Sequence, residues 1–472
     1  MKNKFTLFLM GLLVLLSACK KETPVVPESD FVKSLRTNAR IHNIRCYKTS
    51  DITPDSYGEY VATINNLYKE CIEFDYIQPV DHNNPTGQTF YQRVRIFYAG
   101  SGKNTVLHTA GYNLSKEMAV GFNSLSLWGG MSLVEVEHRY FLGSNPSTID
   151  TELKYFNAVQ QSADLHDIVT DLRSLMGGKW ISTGCSKDGI TTALYAMHYP
   201  KDMNVYVPFD APFCQSRDDM RNGVFLKDKV GTAAERKRIF DSQTMALDMV
   251  DDIAKYVYSN GEGKGSTEIP SAKVEAYRDS VKCSVVVKFI NMWCYTPVNE
   301  WINMVPEKGG EGITADSLYR YYYRDRKNDS GPGEDDVYQY PYYLQAWFEL
   351  GFYNLDLSGF DPKYQLSNEK HGVTLKSNIS DEDLAHYGSR PFDNTAMKGV
   401  VDFVKNTGGA KMVFVYGGND HWTASGIQDG EFDVQNVRRH LITRGTHTDN
   451  LDSFEIRSEA EAVWSDIMSF LQ

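Results

Sequence analysis

The segment STGCSKDG, residues 182–189, decides the fold of this chain. It follows an apolar run at residues 179–183, typical of a buried strand, and it leads into a helical pattern over residues 187–198. A serine on such a strand-to-helix turn is exposed at the carboxyl edge of a sheet, with the helix N-terminus directed toward it. Gly184 suits a tight turn. The segment therefore predicts an α/β sheet and makes Ser186 a candidate nucleophile; the alternative is a serine that only caps the helix.

Strand and helix patterns alternate on both sides of this turn. An amphipathic helix is predicted at residues 164–176, just before the strand that carries the serine. Short apolar segments typical of strands covered on both faces lie at residues 91–98, 105–110, 132–137, 179–183, 205–209, 411–416 and 437–442. Between residues 215 and 400 the pattern changes to long helical stretches and aromatic clusters. The sequence therefore predicts one α/β domain interrupted by a mostly helical insertion.

Composition excludes several classes of protein. The chain has 472 residues, of which 42% are hydrophobic and 23% are charged, as in a globular protein. Its formal net charge of -12 argues against a nucleic-acid partner, because phosphate binding needs clustered basic residues. The 11 histidines lack the spacing of metal ligands, so we predict no metal site and no other cofactor.

The N-terminus has the pattern of a lipoprotein signal. Lys2 and Lys4 precede an apolar run at residues 5–16, and the string LSAC at residues 16–19 is similar to a bacterial lipobox. In that interpretation Cys19 is lipidated and becomes the first mature residue, and the chain lies in the cell envelope, attached to the membrane through the lipid. The alternative is an ordinary signal peptide in which Cys19 is incidental.

An acid and a base follow the serine in the order typical of nucleophile-elbow hydrolases, which is Ser, Asp or Glu, then His. Asp420 lies in a glycine-rich turn after the strand predicted at residues 411–416. His447 lies in the loop after the last predicted strand, whereas His421 adjoins the acid and His440 falls inside a strand. We therefore predict that Asp420 orients His447 and that His447 takes the proton of the nucleophile.

Four strings in chain order carry a resemblance to a known family. They are TAGY at 109–112, EHRYF at 137–141, TGCSK at 183–187 and GNDHW at 418–422. Together they resemble the secreted bacterial tripeptidyl and prolyl aminopeptidase-like serine peptidases of the α/β-hydrolase clan. The resemblance implies an α/β-hydrolase fold with a large, mostly helical cap inserted before the acid-bearing strand. The predicted organisation is then a signal peptide (1–18), a lipid-anchored tether (19–40), a first hydrolase part (41–214), the cap (215–400) and a second hydrolase part (401–472).

The predicted oxyanion hole has two backbone donors. The elbow itself supplies the N–H of Lys187, the residue after the nucleophile. The family resemblance implies the second donor, the N–H of Tyr112. It also implies that Glu137 binds the α-amine of a peptide substrate, for which the alternative is a structural salt bridge to Arg139 or another base. In the cap, Tyr342, Tyr343, Trp347 and Phe348 are candidates to line a peptide groove or to belong to the core.

One departure from the family pattern bears on activity. Similar proteins usually have Gly where this chain has Asp188, and a negative charge close to Ser186 and His447 would oppose the development of an oxyanion. The predicted function is a lipid-anchored serine peptidase of aminopeptidase type that cleaves short peptides. Another α/β-hydrolase, such as an esterase, and a catalytically weak or inactive binding lipoprotein remain as alternatives.

Overall fold

The computed structural model describes residues 28–49, 61–115, 118, 124–324, 334–364 and 374–472. The predicted signal peptide (1–18) and the predicted lipidation site Cys19 lie outside the described residues. Among the helices of the described ranges, none has both the length and the apolar character needed to cross a bilayer.

A nine-stranded mixed sheet forms the centre of the molecule, in the order β1-β2-β3-β5-β4-β6-β7-β10-β11. Its strands are β1 (Ile41–Tyr47), β2 (Glu70–Pro79), β3 (Thr89–Tyr98), β4 (Thr105–His108), β5 (Ser132–Val136), β6 (Trp180–Cys185), β7 (Val205–Phe209), β10 (Met412–Gly417) and β11 (Val437–Ile442). Strands β8 (Asp218–Asp219) and β9 (Phe352–Tyr353) form a separate pair. The six strands from β5 to β11 in this order are parallel, so the loops after β4, β6, β7, β10 and β11 meet at one edge of the sheet.

Helices cover both faces of the sheet and build the cap. They are α1 (Asp30–Leu35), α2 (Val61–Leu67), α3 (Ser124–Gly129), α4 (Ala158–Met176), α5 (Lys187–His198), α6 (Met220–Asp228), α7 (Ala233–Asp248), α8 (Val250–Asn260), α9 (Val274–Tyr295), α10 (Val298–Trp301), α11 (Ala315–Tyr319), α12 (Glu334–Gln345), α13 (Asp381–Tyr387), α14 (Thr395–Phe403) and α15 (Arg457–Leu471). Apolar residues of α4, α5 and α14 form the core on one face, and those of α15 form it on the other. Helices α7, α8 and α9 bury a further apolar cluster of their own. The cap therefore has an independent core.

The predicted α/β-hydrolase fold with a helical insertion is confirmed. Each of the seven strands predicted from apolar runs is present, and the strand predicted at 105–110 ends at His108. Within the predicted helical insertion, α7 and α8 are separate helices that break at Met249. Strand β1 escaped prediction because most of its side chains are exposed or half-buried, so it lacks an apolar run.

The N-terminal segment corrects the predicted extent of the tether. Residues 30–35 form α1, and Phe31, Val32 and Leu35 are buried in the main core. The ring of Phe31 stacks on Tyr98 with 3.9 Å between centroids. The folded body therefore begins at α1 and not after residue 40, because α1 contributes apolar side chains to the core.

Candidate active site

A strained, tightly packed turn carries Ser186. Its backbone has φ 58° and ψ -124°, a conformation that non-glycine residues rarely adopt. The N–H of Ser186 donates to the carbonyl of Phe209 at 2.9 Å, which holds the turn against β7. A Cβ at Gly184 would lie 2.4 Å from that of Asp188, and one at Gly189 would lie 2.5 Å from the carbonyl of Phe209. The glycines let the first turn of α5 fold back onto β6, and Ser186 is left facing a cavity.

Asp420 and His447 form a buried hydrogen-bonded pair. Asp420 follows β10 and caps a short 3-10 helix, His421–Ser425, through the N–H of Trp422. The Nδ1 of His447 lies 2.7 Å from Oδ2 of Asp420. Burial alone would raise the pKa of Asp420, but the charge and hydrogen bond of His447 outweigh it and lower that pKa. A carboxylate so held fixes the orientation of the imidazole and stabilises it when it is protonated.

The cap and the elbow both hold His447. The N–H of His447 donates to the carbonyl of Cys294, the penultimate residue of α9, at 2.7 Å. The thiol of Cys185 donates to the carbonyl of His447 at 3.0 Å. The thiol of Cys294 also donates to Oδ1 of Asp420 at 3.3 Å. Cys294 is thus a residue of the site that the sequence reasoning missed, and no local motif marks it.

One cavity of about 200 Å³ brings together three of the predicted residues, Ser186, His447 and Tyr112. It is lined by Tyr112, Ser186, Ile290, Asn291, Cys294, Tyr295, Tyr342, Tyr343, Phe352, Tyr353, Asn378, His421, Trp422 and His447. His440 lies elsewhere, paired with Asp466 at 2.9 Å. His421 lines the cavity, but burial lowers its pKa to about 4. Among His421, His440 and His447, the geometry therefore favours His447 as the base.

Tyr112 and Lys187, the two predicted oxyanion donors, both lie next to Ser186. Lys187 is the first residue of α5, where no preceding turn of the helix can accept its N–H. Tyr112 lies in the loop after β4, and its side chain is hydrogen-bonded to Ser186. Burial, reinforced by the charge of Asp188, raises the pKa of Tyr112 well above its usual range, so the phenol stays protonated. The structure thus brings the side chain of Tyr112 to the nucleophile, which the sequence reasoning had not foreseen.

Glu137 requires a correction, because the structure does not bring it to this cavity. Its side chain is fully buried, with Oε1 2.6 Å from a guanidinium nitrogen of Arg93. The hydroxyl of Ser144 donates to the other oxygen at 2.8 Å, and the N–H of Leu114 donates to Oε1 at 3.0 Å. This arrangement matches the salt-bridge alternative with Arg93 as the partner, because Arg139 pairs with Asp164 instead.

The cap aromatics separate into two groups. Tyr342 and Tyr343 line the cavity, and the ring of Tyr342 lies edge-on to Tyr112 at 5.6 Å. Trp347 and Phe348 are buried and pack against guanidinium groups, those of Arg217 and Arg390. Only the first pair can therefore contact a molecule in the cavity.

Asp210 is a second carboxyl group beside the acid. It follows β7 with φ 44°, it is buried, and Gly417 donates its N–H to Oδ1 at 2.7 Å. A hydrogen bond joins its side chain to Asp420. Burial, with the negative charge of Asp420, raises the pKa of Asp210 well above its usual range. Of the two carboxyl groups, Asp210 therefore binds a proton more readily than Asp420. An aspartate directly after the strand at 205–209 was the sequence signal that could have found it.

The same side chains have the spacing of a metal site. Single ligand atoms of Asp210, Asp420 and His447 lie within 4.8 Å of one another, as do those of Cys294, Asp420 and His421. Hydrogen bonds among these groups already use the oxygens and Nδ1 that a cation would need. The chemistry of this donor set favours proton transfer within a triad rather than metal binding.

The parallel strands, the serine elbow after β6 and the Asp–His pair at the same sheet edge define an enzyme class, the serine hydrolases of α/β-hydrolase fold. Residues 65–444 match the family model described as PS-10 peptidase S37. The chain belongs to this peptidase family, and the resemblance identified from its motifs is confirmed.

Known proteins similar to this chain include one curated relative and several solved structures. The prolyl tri/tetrapeptidyl aminopeptidase of Streptomyces mobaraensis is 26% identical over 391 residues, which cover 82% of this chain and 77% of the relative. The proline iminopeptidase of Mycobacterium smegmatis is 9% identical, with 84% of this chain and 99% of that chain covered and a TM-score of 0.36. The rice cell wall degrading esterase LipA of Xanthomonas oryzae, in a ligand-bound form, is 13% identical, with coverages of 92% and 97% and a TM-score of 0.34.

The raised pKa of Asp210 predicts that this side chain is neutral in the working enzyme, and two substitutions test this. In Asp210→Asn the amide keeps an uncharged donor toward Asp420, so the acid limb of the pH–kcat/KM profile on a chromogenic peptide stays in place. In Asp210→Ala the donor is lost from a buried site, and we expect kcat to fall roughly tenfold. An acid limb that moves to lower pH in Asp210→Asn would show that Asp210 is ionised, because removing a negative charge destabilises the imidazolium.

Proposed function

We propose that this chain is a serine peptidase of aminopeptidase type that cleaves short peptides with Ser186 as nucleophile, His447 as base and Asp420 as the acid that orients it. One observation carries the proposal. His447, joined to Asp420 at 2.7 Å, lines the same cavity as the serine of the elbow. A nucleophile, a base and an orienting acid that converge on one cavity are the requirement for acyl transfer.

The proposed reaction follows from these positions. Ser186 Oγ attacks the scissile carbonyl while its proton moves to Nε2 of His447, and Asp420 accepts the hydrogen bond from Nδ1 throughout. The N–H groups of Lys187 and Tyr112 bind the oxyanion. His447 then gives the proton to the leaving amine, the C–N bond breaks and an ester forms on Ser186. Water attacks this ester with His447 again as base, which releases the acyl product and restores the serine.

The hydrogen bond between Ser186 and Tyr112 belongs to the state without substrate. Catalytic hydrogen bonds in such states are often incomplete and form only when substrate binds. A carbonyl oxygen that enters between Lys187 and Tyr112 would displace this contact and turn the Ser186 hydroxyl toward His447. The phenol of Tyr112, which stays protonated, can then donate to the same oxygen.

The cavity supports a small substrate with a free end. Its volume of about 200 Å³ is below the ~300–1,000 Å³ of sites for drug-sized ligands, and α9 and α12 contribute residues to its lining. None of its lining residues within the described ranges is acidic, and five of them are tyrosines. We propose that the α-ammonium of the substrate meets aromatic faces and phenol oxygens rather than a carboxylate. The relative from Streptomyces mobaraensis, named a prolyl tri/tetrapeptidyl aminopeptidase, supports release of short N-terminal pieces.

We also propose that the enzyme is lipid-anchored in the cell envelope through Cys19. The support is the sequence pattern alone, a basic start, an apolar run and the string LSAC at residues 16–19.

A fluorophosphonate probe tests the triad. We expect it to modify Ser186, and Ser186→Ala to abolish both labelling and peptide turnover, because the serine is reactive only where a base and oxyanion donors converge. His447→Ala should also lose labelling, whereas His440→Ala, the matched control on β11, should retain it. Equal labelling of Ser186→Ala and the unchanged enzyme would refute the assignment.

Free and N-acetylated peptides test the aminopeptidase proposal. Removing the positive charge should lower kcat/KM about tenfold, the scale of a partly desolvated cation–π contact. Glu137→Gln should leave this ratio unchanged while it lowers Tm, because it weakens a buried pair with Arg93. Loss of the preference in Glu137→Gln would restore Glu137 as the amine-binding group, and equal kcat/KM for both peptides in the unchanged enzyme would indicate an endopeptidase or an esterase.

Membrane fractionation tests the anchor. Cys19→Ser should move the protein from the membrane to the soluble fraction with its kcat intact, because Cys19 precedes the folded body that begins at α1. Retention of Cys19→Ser on membranes would contradict the lipobox interpretation.

A further inference from the structure

A cluster of three ionisable side chains lies beside the elbow but outside the proposed triad. His108 ends β4, Glu135 belongs to the neighbouring strand β5, and Asp188 is in the first turn of α5. The Nε2 of His108 lies 3.0 Å from Oδ2 of Asp188, and its Nδ1 lies 3.5 Å from Oε1 of Glu135. Two carboxylates thus face one imidazole from opposite sides.

The two carboxylates keep His108 protonated, and so positively charged, at neutral pH. Burial alone would lower the pKa of His108, but the hydrogen bond with Asp188 and the charges of Asp188 and Glu135 outweigh it and raise that pKa to about 10. A buried imidazolium paired in this way offsets the negative charge that the departure from glycine introduces at position 188. The pairing with His108 therefore reduces the net negative charge that Asp188 places beside the elbow.

The other oxygen of Asp188 holds the loop that carries Tyr112. The N–H of Gly111 donates to Oδ1 of Asp188 at 2.5 Å, and the ammonium of Lys187 donates to the carbonyl of Gly111. Both backbone groups of Gly111 are thus bound by side chains of the first turn of α5. Gly111 packs closely against Asp188. A Cβ at Gly111 would lie 2.6 Å from Oδ1 of Asp188 and 2.8 Å from the backbone nitrogen of Asp188.

We propose that Asp188, charge-paired with His108, is a positioning residue that fixes the Gly111–Tyr112 peptide beside Ser186 and so aligns the second donor of the oxyanion hole. The proposal rests on the proposed function, because it assigns work to that oxyanion hole. Asp188, which departs from the family pattern, would then support the oxyanion hole and not only oppose the oxyanion with its charge. In this chain the loop is held by a side-chain carboxylate that a glycine at this position cannot supply.

Three variants separate the charge of Asp188 from its hydrogen bond. Asp188→Ala removes both, and we expect kcat on a peptide to fall about tenfold with KM within twofold, since the donor is displaced and not deleted. Asp188→Asn keeps an acceptor for Gly111 and removes the charge, so a smaller loss of roughly two- to fivefold is expected. Asp466→Asn is the matched control, because it removes the charge from a comparable contact to His440 outside the cavity lining and should leave kcat unchanged.

A spectroscopic measurement reports the ion pair without reference to turnover. In protein labelled with ¹⁵N-histidine, and with the signal assigned by His108→Gln, His108 should show the imidazolium pattern at pH 9 in the unchanged protein and in Asp466→Asn. It should show the neutral pattern in Asp188→Asn. A neutral His108 at pH 9 in the unchanged protein overturns the ion pair.

Kinetic outcomes decide the positioning role. A kcat of Asp188→Asn or Asp188→Ala within a factor of about 1.5 of the unchanged enzyme overturns it, and a rise in KM without a fall in kcat overturns it as well, because that pattern belongs to substrate binding. The failure of the proposed function is recognised separately, since Ser186→Ala would then retain labelling and turnover whatever the charge of His108.

Discussion

The turn that carries Ser186 has no space for a side chain at the glycines on either side of it. Because Gly184 and Gly189 pack against Asp188 and Phe209, the first turn of α5, the end of β6 and the end of β7 are in mutual contact. Gly111 adds the loop after β4 to the same contact. The nucleophile, the oxyanion donors and the end of β7, which leads into Asp210, are thus positioned by close backbone packing. Such packing tolerates few changes of side-chain volume.

The cap takes part in the site and does more than cover it. The last turn of α9 supplies the carbonyl that binds the N–H of His447 and the thiol that binds Asp420. Contacts of the acid–base pair therefore cross the boundary between the cap and the second hydrolase part. The cap nevertheless buries its own apolar cluster. Helix α9 packs in the cap and also contacts the acid–base pair of the hydrolase domain. It therefore couples the position of the cap to the orientation of His447.

Sequence alone predicts the features that depend on local pattern. The apolar runs gave the strands of the parallel part, and glycine-rich turns after them led to Ser186 and Asp420. The failures involve contacts between distant segments. Glu137 follows a strand, a position that suits an amine-binding carboxylate, but its partner Arg93 is on β3. The partner of Asp188 is likewise on a distant strand, because His108 ends β4. Helix α1 was also missed, because six residues are too few to show a helical pattern. Its three buried side chains meet a surface that only the folded sheet creates.

The docking of α1 on the main core limits how far the enzyme can stand from a lipid at Cys19. Phe31 is stacked on Tyr98, and the stretch of sequence between α1 and a lipid on Cys19 is residues 20–29. At about 3.3–3.6 Å per residue, that length spans roughly 35 Å at full extension. Under the proposed anchoring, the sheet therefore stays within about one domain diameter of the bilayer. An enzyme held at that distance would meet its peptide substrates close to the membrane surface.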